Sequence, residues 1–154
     1  MRAADRRTIV VCIGNELIAD DAVGFEIYRR LAGCRARLEF CGVGGIDLLP
    51  LLQGETDLIV ADAVELGAPP GHLHVLPWDC LPATATAISA HGLGLRETIE
   101  IGRILYPDAM PERITLVGVE GRCFNRTREF MTPEVADAID AAVGRIRELL
   151  GEQA

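Results

Sequence analysis

Thr8 to Gly24 reads T-I-V-V-C-I-G-N-E-L-I-A-D-D-A-V-G, and its two halves set the expected architecture. Thr8 to Ile13 is a continuous, largely β-branched apolar run, the pattern of a parallel strand covered on both faces. Gly14 and Asn15 turn the chain. From there Val23, Ile27 and Leu31 recur at a spacing of four, which predicts a helix ending near Gly33. A buried strand that turns directly into an amphipathic helix opens a β–α unit.

The same alternation continues outward. Arg37 to Cys41 predicts a second strand, and the glycine cluster Gly42, Gly44 and Gly45 leads into a short helix over Ile46 to Leu52. Asp57 to Ala61 is another buried strand, closed by Asp62. Pro69, Pro70 and Gly71 make a turn before His72 to Leu76, read as an additional strand at an edge. Leu93 to Leu105 is helical and Arg113 to Val119 is a strand. Thr132, Pro133 and Glu134 mark a helix start, followed by the apolar stripe Val135, Ile139, Val143, Ile146 and Leu150. No repeat or linker composition interrupts the 154 residues. The expectation is one α/β domain over residues 1–154, a mostly parallel twisted sheet with helices on both faces and right-handed crossovers.

Composition narrows the function classes. The chain is 49% hydrophobic and 25% charged with a formal charge of −8, globular in character and poorly suited to nucleic acid, which needs a basic face. The five cysteines are odd in number and scattered, without a C-x-x-C pair. That argues against a disulfide framework and a structural zinc site. No apolar run is long enough for a signal-peptide core or membrane span. A cytoplasmic protein is expected, and a monomer, since no exposed heptad or self-association face is evident.

In open α/β sheets ligands bind beyond the carboxyl ends of the strands. The first strand leads to Asp20 and Asp21 there, and the strand D-L-I-V-A delivers Asp62 to the same edge. His91, in the loop S-A-H-G-L-G-L, is positioned to close over it. Two carboxylates and an imidazole suit nickel, zinc or iron with open coordination positions. Spacing alone does not separate Asp20 from Asp21. It also allows the plainer assignment of either acid to a helix start, of Asp62 to a polar strand end and of His91 to a loop.

Gly14 to Gly24 is similar to the opening motif of the hydrogenase maturation proteases, G-N-x-L-x-x-D-D/E-x-x-G. The resemblance continues, in family order, through L-I-V-A-D-A-V (Leu58 to Val64), S-A-H-G-L-G-L (Ser89 to Leu95), L-V-G-V-E (Leu116 to Glu120) and M-T-P-E-V (Met131 to Val135). By position it implies that Asp21, Asp62 and His91 are the metal ligands and the catalytic set. It implies a cytosolic endopeptidase that removes a short C-terminal extension from the large-subunit precursor of nickel–iron hydrogenase after nickel insertion. The nickel would be supplied by the precursor rather than held permanently. A metal-activated water, with Asp21 or Asp62 assisting proton transfer, is one route to hydrolysis.

The chain departs from the family where D-G/C-G-T commonly follows the second strand; Phe40, Cys41, Gly42 and Val43 stand there instead. Because that segment is associated with precursor recognition, Asn15, Cys41, Gly42, Val43 and Gly44 are the candidate substrate contacts. The departure also admits a second reading, a non-proteolytic metal-binding or docking module for hydrogenase assembly. Gly42 to Gly45 does not complete a dinucleotide loop, because Asp47 occupies the last position. His72 and His74, two apart on a strand, are read as a solvated face rather than a metal pair. Cys12 is read as an inert buried thiol.

Overall fold

The computed structural model describes residues 7–42, 45–81 and 94–152. Five strands form one sheet: β1 (Thr8–Cys12), β2 (Arg37–Phe40), β3 (Asp57–Val64), β4 (Leu73–Pro77) and β5 (Arg113–Glu120). Their order is β2-β1-β3-β5-β4. The first four in that order are parallel, and β4 runs antiparallel on the β5 edge. The helices are α1 (Val23–Arg30), α2 (Leu95–Leu105) and α3 (Pro133–Leu149), with a 3-10 helix over Gly45–Leu51. The expected α/β architecture and its edge strand are therefore present.

Alternation along the strands divides the core in two. Ile9, Val11, Leu58, Val60 and Val64 face α2 and the Gly45–Leu51 helix, packing with Leu48, Leu95 and Ile99. Val10, Cys12, Ile59, Ala61 and Ala63 face α1 and α3, packing with Val23, Ile27, Leu31, Val135 and Ile146. Each fully buried Leu, Ile or Val contributes about 1.5–3 kcal/mol of transfer free energy, so both helix layers are held by the sheet rather than by helix propensity.

One boundary differs from expectation, and two side chains find other partners than expected, for tertiary reasons. β3 continues through Asp62 to Val64, because β5 supplies partners for every residue to the Val64–Glu120 pair. Asp62 is thus inside the strand, opposite Gly118, rather than closing it. Thr132 does precede α3, but its hydroxyl makes no cap bond to the helix; it donates to Asp20 instead. His74 is not on a solvated face: its Nε2 lies 3.2 Å from Oε2 of the buried Glu120, and its ring meets that of His72 edge-on. Among the described residues no helix is long and apolar enough to cross a membrane.

Candidate active site

The G-N-E-L-I-A-D-D-A-V-G segment begins where β1 stops. Gly14 (φ +152°) and Gly24 bracket it, and both are required by close approach. A Cβ on Gly14 would lie 2.2 Å from the carbonyl oxygen of Asp21, and one on Gly24 would lie 1.9 Å from that of Ile13. The two glycines let the start of α1 press against the end of β1. The chain between them makes a 3-10 turn, Asp20–Ala22, that packs against β3.

The two acids of that turn have different surroundings. Asp20 is fully buried and receives four hydrogen bonds: from the backbone N–H of Arg122 (2.7 Å), Cys123 (2.8 Å) and Thr132 (2.7 Å), and from the Thr132 hydroxyl (2.7 Å). Four donors around one carboxylate make Asp20 a fastener between this turn and the β5–α3 connection. Asp21, 2% exposed, accepts the Asn15 N–H on Oδ2 at 2.8 Å. Asn15 in turn accepts the Leu17 N–H on its side-chain oxygen, shaping the turn as an Asx motif.

Asp62 is fully buried in β3. Its neighbour Ala61 pairs with Cys12, the last residue of β1, and accepts the Ile13 N–H at 2.9 Å. Asp62 therefore stands one step beyond the end of β1, where the chain leaves toward Gly14. By strand alternation it shares the face of Val60 and Val64, the face covered by α2. His91 lies outside the described residues, as do Val43 and Gly44; the described residues resume at Gly94, the N-cap of α2. Among the described residues no group of three His, Cys, Asp or Glu side chains converges to hold a metal ion. The structure thus brings Asp21 and Asp62 to one sheet edge.

The second strand lends the edge its other border. Cys41 follows β2, donating its N–H to the Cys12 carbonyl at 2.8 Å. Burial, then the charges of Asp47 and Asp62, push its thiol up to about 11, so it is protonated near neutrality and a poor nucleophile. Burial, reinforced by Cys34 and Asp62, raises the Cys12 thiol further. Gly42 adopts a positive φ of +58° with open space around it. Phe40 packs on the other face, against Phe25 (5.3 Å between ring centres) and Tyr28 (5.6 Å).

Two buried carboxylates near this edge carry structural loads that sequence pattern did not reveal. Asp20 is one. Glu120, 3% exposed at the end of β5, is the other: it accepts the N–H groups of Leu66 and Ala68 at 2.8–3.0 Å and so clamps the β3–β4 loop. The signal available in the sequence was an acid ending a buried strand, which does not name its partners.

Residues 40–149 match the family model described as hydrogenase maturation protease. The hydrogenase expression/formation protein HupD of Rhodobacter capsulatus is 34% identical over 151 residues, 93% of this chain and 71% of that one. The hydrogenase 2 maturation protease of Escherichia coli is 30% identical over 153 residues, 95% and 92% of the two chains. Among solved structures, the hydrogenase maturating endopeptidase HybD of E. coli superposes with a TM-score of 0.79 at 29% identity, covering 94% of this chain and 92% of its own. The [NiFe] hydrogenase maturation protease HybD of Thermococcus kodakarensis shares the fold, with a TM-score of 0.77 at 22% identity over 94% of this chain and 99% of that one.

Proposed function

This chain belongs to the hydrogenase maturation protease family, and on that premise we propose that it removes the C-terminal extension of a nickel–iron hydrogenase large-subunit precursor once nickel has been inserted. The observation that carries the reading is the pair Asp21 and Asp62, two buried carboxylates delivered by different elements to one sheet edge. Carboxylate with imidazole is a donor set that nickel accepts. Asp21, Asp62 and His91 are the residues that would hold the nickel carried in by the precursor, so the ion is part of the substrate. Bound there, it would supply Lewis-acid polarisation.

The chain's own residues prepare that edge. The Asn15 N–H orients Asp21 through Oδ2, and the ladder between β3 and β5 fixes Asp62. Either carboxylate is a suitable acceptor for the proton of an attacking water. Asn15, Cys41 and Gly42 border the edge, and with Val43 and Gly44, next in sequence, they are read as contacts for the precursor peptide. A donor set completed only by the precursor's metal binds weakly without it, which gates cleavage on nickel occupancy.

The test is incubation with the large-subunit precursor from the same genome, nickel-loaded or nickel-free, followed by mass spectrometry. Shortening of the loaded precursor alone is expected. An intact precursor in a stable complex would instead make the protein a docking module. Asp21→Ala, Asp62→Ala and His91→Ala are each expected to cut processing by at least about 100-fold while circular dichroism stays native. Wild-type turnover by all three variants would remove the triad.

A further inference from the structure

Gly121 to Phe130 reads G-R-C-F-N-R-T-R-E-F, three arginines against one glutamate in a chain of formal charge −8. This segment is joined to the Asp20–Asp21 turn at several points. Ala19 donates to the Arg126 carbonyl and Asp20 to the Cys123 carbonyl, each at 3.0 Å, and Ile18 bridges Thr127. The Asp20 carboxylate takes the Arg122 and Cys123 N–H groups in return. A basic segment is thus bolted to the turn that carries Asp21.

The three arginines are not equivalent. Arg128 is committed: it is ion-paired with Glu26 and lies over the Phe25 ring. Arg122 and Arg126 are both exposed and have no carboxylate partner among the described residues. Arg126 stacks its guanidinium 4.0 Å over the centre of the Phe130 ring. Stacking immobilises the planar fork at little cost and leaves its edge N–H groups to meet a carboxylate bidentately. Phe130 (46% exposed) supplies apolar surface beside it, and Leu17 (68% exposed) lies in the loop joined to this one. A nucleic acid would be repelled by the rest of this acidic chain, whereas one acidic stretch of a polypeptide needs only a local basic patch.

We infer that the Arg122–Phe130 loop is a docking site for an acidic segment of the protein substrate, bound through Arg122 and Arg126 while the adjoining turn presents Asp21. The inference rests on the protease reading for the identity of that substrate. It assigns the loop a role in holding the substrate, separate from the reacting groups.

The experiment compares wild type with Arg122→Glu/Arg126→Glu for binding and processing of the nickel-loaded precursor. A control, Arg103→Glu/Arg145→Glu, makes the same change in net charge near the C-terminal ends of α2 and α3. The loop variant is expected to bind at least about tenfold more weakly at low salt, with the gap closing in about 0.5 M NaCl. Its KM should rise with kcat retained, and the control should behave as wild type. Equal binding and equal salt dependence of the loop variant and wild type would overturn the inference, as would an equal loss in the control. If wild type binds but does not cleave, the protease reading fails and the binding comparison still decides the loop. If both cleave alike, the loop fails and the protease reading stands. No binding by wild type overturns the docking inference.

Discussion

Thr132 donates both its backbone N–H and its hydroxyl to the two oxygens of Asp20, each at 2.7 Å, across 112 positions of sequence. The residue placed to cap α3 thus satisfies the first acid of the D-D pair. Removing only the hydroxyl, in Thr132→Val, should cost about 1–2 kcal/mol in urea denaturation. Asp20→Ala strands three backbone donors as well and should cost more than about 3 kcal/mol. A stability of Asp20→Ala equal to wild type would show that the fastener carries no load.

The glycines divide sharply by what surrounds them. Gly24→Ala would place a Cβ 1.9 Å from the Ile13 carbonyl oxygen, which backbone must move to relieve. It should lose at least about 3 kcal/mol or fail to fold. Gly144, in α3, has nothing within 4 Å of a Cβ, so Gly144→Ala should gain about 0.5–1 kcal/mol. Thermal melts of the two variants should move in opposite directions.

Acid sensitivity should trace in part to Glu55. Its burial pushes the carboxyl up. The Gln53 N–H and the Arg37 guanidinium outweigh that and hold it below the ordinary 4.5. A carboxyl depressed on folding stabilises fully above its unfolded value and loses that contribution as pH falls through the folded one. Below about pH 4.5 wild type should therefore lose stability more steeply than Glu55→Gln. Parallel curves of urea midpoint against pH would remove Glu55 from the account.

Thiol chemistry should separate two cysteines. Cys80 is exposed, whereas Cys41 is half-buried with its thiol raised to about 11. Iodoacetamide near neutral pH should label Cys80 and spare Cys41 over the same interval, with Cys41 labelling rising as pH approaches that value. Equal rates by peptide mass spectrometry would contradict the placement of Cys41 beside Asp47 and Asp62.

Much of this protein was legible before any tertiary contact was known. The β-branched run of β1, the four-residue spacing in α1 and the stripe of α3 are local patterns. Burial on a sheet face or helix stripe imposes them on neighbours in sequence. Hence the strands, the helices and the mostly parallel sheet, and the expectation that the Asp20–Asp21 pair and Asp62 meet at one edge, followed from the chain alone. The motif resemblance added the choice of Asp21 over Asp20 without giving a physical reason for it.

Tertiary structure decided what depends on distant partners. β3 runs past Asp62 because β5 is long enough to pair with it. His74 turns to Glu120 because β4 docks on β5. Asp20 and Asp21 are adjacent acids of identical chemistry. Only the return of Arg122, Cys123 and Thr132 to one of them makes Asp20 a structural fastener. Periodicity encodes which face a residue occupies; it carries no information about which donors a chain more than a hundred residues later will bring to that face.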